Sequence, residues 1–118
     1  MSVAPADALS GLEAALEHAN KLLAVNPRLA EEQAAVILKA IPNQPNALIL
    51  QALAYGRLNQ WQMSVELLRK LTVLQPKWAA AFMELGFALR QIGLGDQAIT
   101  ALKRSLFLKP DVPKAWLA

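Results

Sequence analysis

Chemistry requires nucleophiles, general acids and bases, or metal ligands, and this chain holds few of them. Its only imidazole is His18, and it has no cysteine. Without thiols there are no disulfides, thiolate zinc sites or cysteine nucleophiles. A lone imidazole with no second His at helical spacing reads as a surface helix residue, not a general base or a ligand. Among the nine carboxylates, Glu31 and Glu32 are adjacent, so on one helix their side chains diverge and read as a solvated face. Gly93-Leu94-Gly95 contains a G-x-G but lacks the third glycine and the preceding strand of a dinucleotide loop, so it reads as an inter-helix turn. The serines have no His or carboxylate companions at defined positions. No catalytic, cofactor-binding or metal-binding residue is assigned, and no cofactor is expected.

The elements that would position any functional residue are helices. The chain has 118 residues, room for one domain, and Ala and Leu supply 22 residues each. Small or straight side chains lose little rotamer freedom in a helix, whereas β-branched Val and Ile total only 11. An apolar fraction of 55% is enough for a packed core. Net charge is +3, unevenly spread: residues 1–44 hold five acids and three bases, residues 45–118 four acids and nine bases. The bases are scattered apart from Arg69-Lys70 and Lys103-Arg104, and few aromatics stand near them to stack on bases, so no nucleic-acid partner is expected. The start, Met1 to Asp7, has no basic segment followed by an apolar run. No apolar stretch approaches the roughly 20 residues that span a bilayer. No membrane partner is expected, and a cytoplasmic location is.

Sliding the sequence against itself exposes its organisation. At an offset of 34, Pro42, Pro76 and Pro110 align, and Pro45 returns 68 residues later as Pro113. Leu48-Gln51-Ala52-Tyr55 aligns with Phe82-Leu85-Gly86-Leu89, and Ser64-Leu68-Leu71 with Ala98-Leu102-Ser105. Each cycle reads as two helices with apolar residues at three- and four-residue spacing. Asn59-Gln60 and Gly93-Leu94-Gly95 separate the helices within a cycle, Gly93 suiting a positive-φ helix end and Asp96 standing where it can cap the next helix. Asn26-Pro27 reads as the cap and first turn of another helix, and Pro45 and Pro113 also suit a first turn.

The pattern Phe82-x2-Leu85-Gly86-x2-Leu89, then Ala98-x3-Leu102, then Pro110, resembles the tetratricopeptide repeat. Residues 45–78 fit it too, departing at Gln51, where the family prefers Leu, and at Ser64, where it prefers Ala. In residues 11–44 only the second half matches, through Ala30, Ala34, Ile37 and Pro42; Glu17, His18 and Lys21 fall where core residues belong, although Leu9, Leu12, Leu16, Ala19 and Leu23 trace one helical face over residues 6–24. The resemblance implies an all-α fold, a right-handed α-α superhelix of about three helix pairs plus a partial C-terminal helix. The expected organisation is a single domain over 1–118: a degenerate pair at 6–44, repeats at 45–78 and 79–112, and the start of a truncated helix at 113–118. One helix pair cannot bury its apolar face, so pairs must stack.

In that family the first helix of each pair lines a concave surface that holds a partner peptide or helix. Carried over by alignment, the groove here comprises Asn46, Ile49, Leu53, Gly56 and Arg57, then Ala80, Met83, Phe87, Arg90 and Gln91, then Lys114 and Leu117. Ile49, Leu53, Met83 and Phe87 stand where some relatives place a Lys/Asn clamp for a terminal carboxylate. The resemblance therefore implies a protein or peptide partner that is apolar, with Arg57 and Arg90 available to an acidic group. Self-burial or self-association through the same face is the alternative. Trp61 is expected to pack inward; Trp78 has no counterpart in the repeat. A looser likeness, from Ala15 through Asn26-Pro27 to Pro45, links the opening to bacterial repeat proteins that carry a sulfotransferase domain, and a secretion chaperone is a further reading.

Overall fold

A computed structural model describes residues 5–108, with side-chain surroundings from Gly11 onward. Six helices follow one another: α1 (Pro5–Val25), α2 (Pro27–Ala40), α3 (Pro45–Arg57), α4 (Trp61–Leu74), α5 (Ala79–Gln91) and α6 (Gly95–Leu108). Among the described residues there is no strand. The boundaries of α3 and α4 recur 34 residues later in α5 and α6, and α2 keeps the same spacing to α4. The chain is an all-α helical-repeat superhelix. The expected helix start at 113–118 lies outside the described residues.

Local chemistry sets these boundaries. Pro27 and Pro45 occupy first turns, where a missing N–H costs no intrahelical bond. Asn26 Oδ1 accepts from the Leu29 N–H at 3.2 Å, and Gln44 Oε1 accepts from the Ala47 N–H at 2.8 Å. α3 and α5 end alike. Asn59 and Gly93 both turn left-handed, at φ 61° and 82°. Behind them the N–H groups of Gln60 and Leu94 donate to the carbonyls of Tyr55 and Leu89, closing the same six-residue ring. Asp96 is not the cap expected of it. It lies inside the first turn of α6, where its charge favours the helix N-terminus, and the backbone carbonyl of Leu94 accepts from Ala98.

The first pair breaks the period, for a visible reason. A single residue, Asn26, joins α1 to α2, whereas three residues join α3 to α4 and α5 to α6. Helix α1 therefore runs further and its buried face shifts by one residue. Ala19 and Leu23 are buried, with Leu16 and Leu22 packed beside them, while Glu17, His18 and Lys21 face solvent. The apparent mismatch in this helix is a change of register.

Neighbouring helices pack in file, and small residues let them approach. A Cβ added to Gly86 would lie 2.7 Å from Leu102 Cγ and 3.2 Å from the Ala98 carbonyl oxygen. One added to Gly56 would lie 2.7 Å from the Trp61 ring, which packs inward as expected. Trp78 precedes α5 and packs against the main core of Leu48, Val65, Leu68, Leu71, Leu85 and Leu89. Buried Ser105 donates to the Ala79 carbonyl at 2.8 Å, tying the end of α6 to the start of α5. Glu31 corrects the expectation of a solvated face. It is half-buried, and its Oε2 accepts from Gln51 Nε2 at 2.9 Å and from the Tyr55 hydroxyl at 3.4 Å. Gln51, the departure from the repeat pattern, is thus the partner of a carboxylate on α2. Burial, then the neighbouring Glu31 charge, push the Tyr55 pKa up from its ordinary 10.0.

Candidate functional site

Curvature follows from which helices meet. The backbones of successive first helices approach closely, α1 to α3 and α3 to α5, whereas those of α2, α4 and α6 stand further apart, α4 and α6 meeting through long side chains. The first helices therefore form the inner, concave side and the second helices the splayed, convex side.

Two clefts open along the concave side. The one between α1 and α3 encloses about 410 Å³; Leu16, Ile49, Leu50 and Leu53 line it, with Glu13, Glu17, Asn20 and Asn46 at its rim. The second, of about 230 Å³, lies where α3, α4 and α5 converge. Its inner wall is small, from Ala52, Gly56 and Ser64, and Leu53, Trp61, Leu68 and Phe87 supply apolar surface. Leu53 lines both clefts and joins them. Arg57, Glu84 and Gln91 give the second cleft its polar groups. Burial pushes the Glu84 carboxyl above its ordinary pKa of 4.5, and the Arg57 charge works against that rise.

Seven of the twelve residues assigned to the groove from sequence line these clefts: Asn46, Ile49 and Leu53 the first, Leu53, Gly56, Arg57, Phe87 and Gln91 the second, whereas Ala80 lines neither. Met83 is half-buried and Arg90 exposed on α5, and neither lines a cleft. Phe87 is 52% exposed, a large ring left facing the groove. Lys114 and Leu117 lie outside the described residues. The groove assigned from sequence omits Glu13, Leu16, Glu17 and Asn20, because no groove position was drawn from α1, whose Leu16 was read only as part of its apolar face. Their 3–4 spacing was the available signal, since Glu13, Leu16, Glu17 and Asn20 share one helical face. It also missed Glu84, which the pattern treats as a variable position.

The residues offer little for bond-making chemistry. Among the described residues no group of three or more His, Asp or Glu is placed to hold a metal ion. No described helix is long and apolar enough to cross a membrane.

No protein-family model and no curated protein matches the chain. Solved structures do. The chain is similar to a crystal structure of MamA, with TM-score 0.78 and 21% identity over 88% of this chain and 61% of that one. It is similar to MamA from Desulfovibrio magneticus RS-1, with TM-score 0.75 and 20% identity over 83% and 56% of the two chains. These two likenesses are of fold. A mutant O-GlcNAc transferase from Thermobaculum terrenum gives TM-score 0.83 and 29% identity over 95% of this chain and 21% of that one. Together these likenesses support a helical repeat of the tetratricopeptide type. The chain spans less than two thirds of the length of each of these proteins.

Proposed function

We propose that the concave face of α1, α3 and α5 binds an apolar helical or extended segment of a protein partner, without chemistry of its own. The observation that carries this reading is the connected apolar floor of Leu16, Ile49, Leu53 and Phe87, with Phe87 half exposed and outside the core clusters. Exposed apolar surface rimmed by polar groups marks an interaction site more often than chance placement. Charge along the groove orients the occupant. Glu13 and Glu17 stand at the α1 end, and Arg57 and Arg90 toward α5. A bound segment would therefore place its basic end on α1 and an acidic group near α5. In this reading the protein is a scaffold. Affinity capture with the wild type beside Ile49→Glu/Phe87→Glu tests it: specific partners are expected on the wild type and lost on the variant. Partners retained by a folded variant would overturn the groove.

A second reading rests on the transferase likeness, in which almost all of this chain aligns with about a fifth of a longer enzyme. Here the same groove positions a polypeptide substrate or subunit for a catalytic domain, a sulfotransferase being the kind suggested by the opening residues. Groove reversal would then lower kcat/KM for a polypeptide substrate and spare turnover of a small acceptor.

A further inference from the structure

The convex side carries a site that the groove does not use. Between α4 and α6 a depression of about 380 Å³ opens onto α5, floored by Leu85, Leu89 and Ala101 and walled by Phe82. The two repeats differ along this lining: Leu85, Leu89 and Ala101 stand 34 residues after Gln51, Tyr55 and Leu67. In the earlier repeat Gln51 and Tyr55 both reach from α3 to Glu31 on α2. Leu85 and Leu89 have no polar group with which to make that link.

Guanidinium groups stand on both rims, and each is held in place. Arg69 Nη2 donates to Gln97 Oε1 at 2.6 Å. The Arg104 guanidinium lies 5.9 Å from the Phe82 ring centre and 5.4 Å from that of Phe107. An apolar floor between two positioned cations fits a helix that carries a carboxylate flanked by apolar side chains.

Helix α2 carries such a stripe on its own outer face. Leu29, Glu32 and Val36 follow at helical spacing, Leu29 41% and Val36 62% exposed, and Glu32 exposed between them. Along the convex side the aligned outward positions change character, from Val36 on α2 to Lys70 on α4 to Arg104 on α6. One end of the stack thus complements the other. We propose that the chain self-associates by seating α2 of one copy in the α4–α6 depression of a second. Leu29 and Val36 cover the apolar floor, and Glu32 sits between Arg69 and Arg104.

Sedimentation equilibrium across the micromolar to millimolar range tests this. The average mass of the wild type is expected to rise with concentration and to fall back as salt is added. Glu32→Lys and Arg104→Glu are surface changes, and each is expected to weaken association about tenfold or more, the usual scale for a close interfacial charge pair. Mixing the two variants is the decisive arm. The intact α2 stripe of Arg104→Glu meets the intact depression of Glu32→Lys, so the mixture is expected to associate where each variant alone does not. Phe87→Glu is expected to associate like the wild type, which separates this contact from the concave groove. A wild type that stays monomeric throughout, as it would if residues 109–118 of the same chain filled the depression, overturns the proposal. So does association that both charge reversals leave unchanged, or that Phe87→Glu alone abolishes.

Discussion

Replacing Gly86 with leucine tests the packing that shapes both faces. The first added atom would already lie 2.7 and 2.8 Å from the Leu102 side chain and 3.2 Å from the Ala98 carbonyl oxygen. Leu102 can swing aside; the Ala98 backbone cannot, so α5 and α6 must separate. Helix propensity favours leucine over glycine by about 0.8 kcal/mol. Overpacking costs about 1–3 kcal/mol, and expelling Leu102 from its half-buried place forfeits about 1–2 kcal/mol more. The net loss is therefore about 1–4 kcal/mol, centred near 3. For a domain of this size that lowers Tm by roughly 10 °C or more. Urea denaturation followed by far-ultraviolet circular dichroism measures it as a lower midpoint at unchanged slope. Leu102→Ala in the same chain should return part of the loss, because the two side chains compete for one space. A Gly86→Leu protein as stable as the wild type would refute this packing.

Gly11 is the contrast: nothing lies within 4 Å of an added Cβ. Gly11→Ala is expected to raise stability by up to about 1 kcal/mol in the same urea experiment, while Gly86→Ala is not. Glu84→Gln should stabilise the protein at neutral pH, and the gain should fade as pH falls through the raised pKa and be gone below about 4.5. Burial raises the folded-state pKa of Glu84, so its stabilising contribution is complete below the ordinary value of 4.5 and is lost as pH rises through the shifted value. Equal urea midpoints for wild type and variant at both pH 7 and pH 4 would contradict that environment. Ultraviolet titration of the phenol should place Tyr55 above its ordinary 10.0, and Glu31→Gln should bring it down. Asn59→Gly should leave the fold intact and stabilise it by a few tenths of a kcal/mol, since its φ of 61° costs glycine least. A thermal melt distinguishes this from the loss expected of Asn59→Val.

Much of the architecture was legible because one physical constraint repeats. A pair of short helices must bury the same face in each cycle, so Ala52 and Gly86, Leu68 and Leu102, and Pro42 and Pro76 return at fixed intervals. The turns were legible where a backbone requirement selects a residue, as at Gly93, and less so at Asn59, whose side chain tolerates a left-handed conformation without advertising it. The apolar face of α1 was legible in Leu16, Ala19 and Leu23, and its departure from the repeat follows a connection two residues shorter than the others. Glu31 was misjudged because burial of a carboxylate depends on Gln51 and Tyr55 reaching it from the next helix, and spacing along one helix does not reveal that. The concave clefts were half legible: α3 and α5 positions followed from the repeat, while the α1 wall and Glu84 needed the packing of neighbours. The convex depression, lined by Leu85, Leu89 and Ala101 where the preceding repeat has Gln51, Tyr55 and Leu67, was not anticipated.

Site-specific photo-crosslinking tests the binding groove most directly. A photoreactive side chain at Gln91 in the concave cleft, and another at Val73 on the 79%-exposed outer side of α4, sample the two faces in one protein. The expected result is a discrete protein adduct from position 91, absent from position 73 and lost when Ile49→Glu is added. Adducts formed equally from both positions, or surviving that substitution in a folded chain, would contradict a partner held in the concave face.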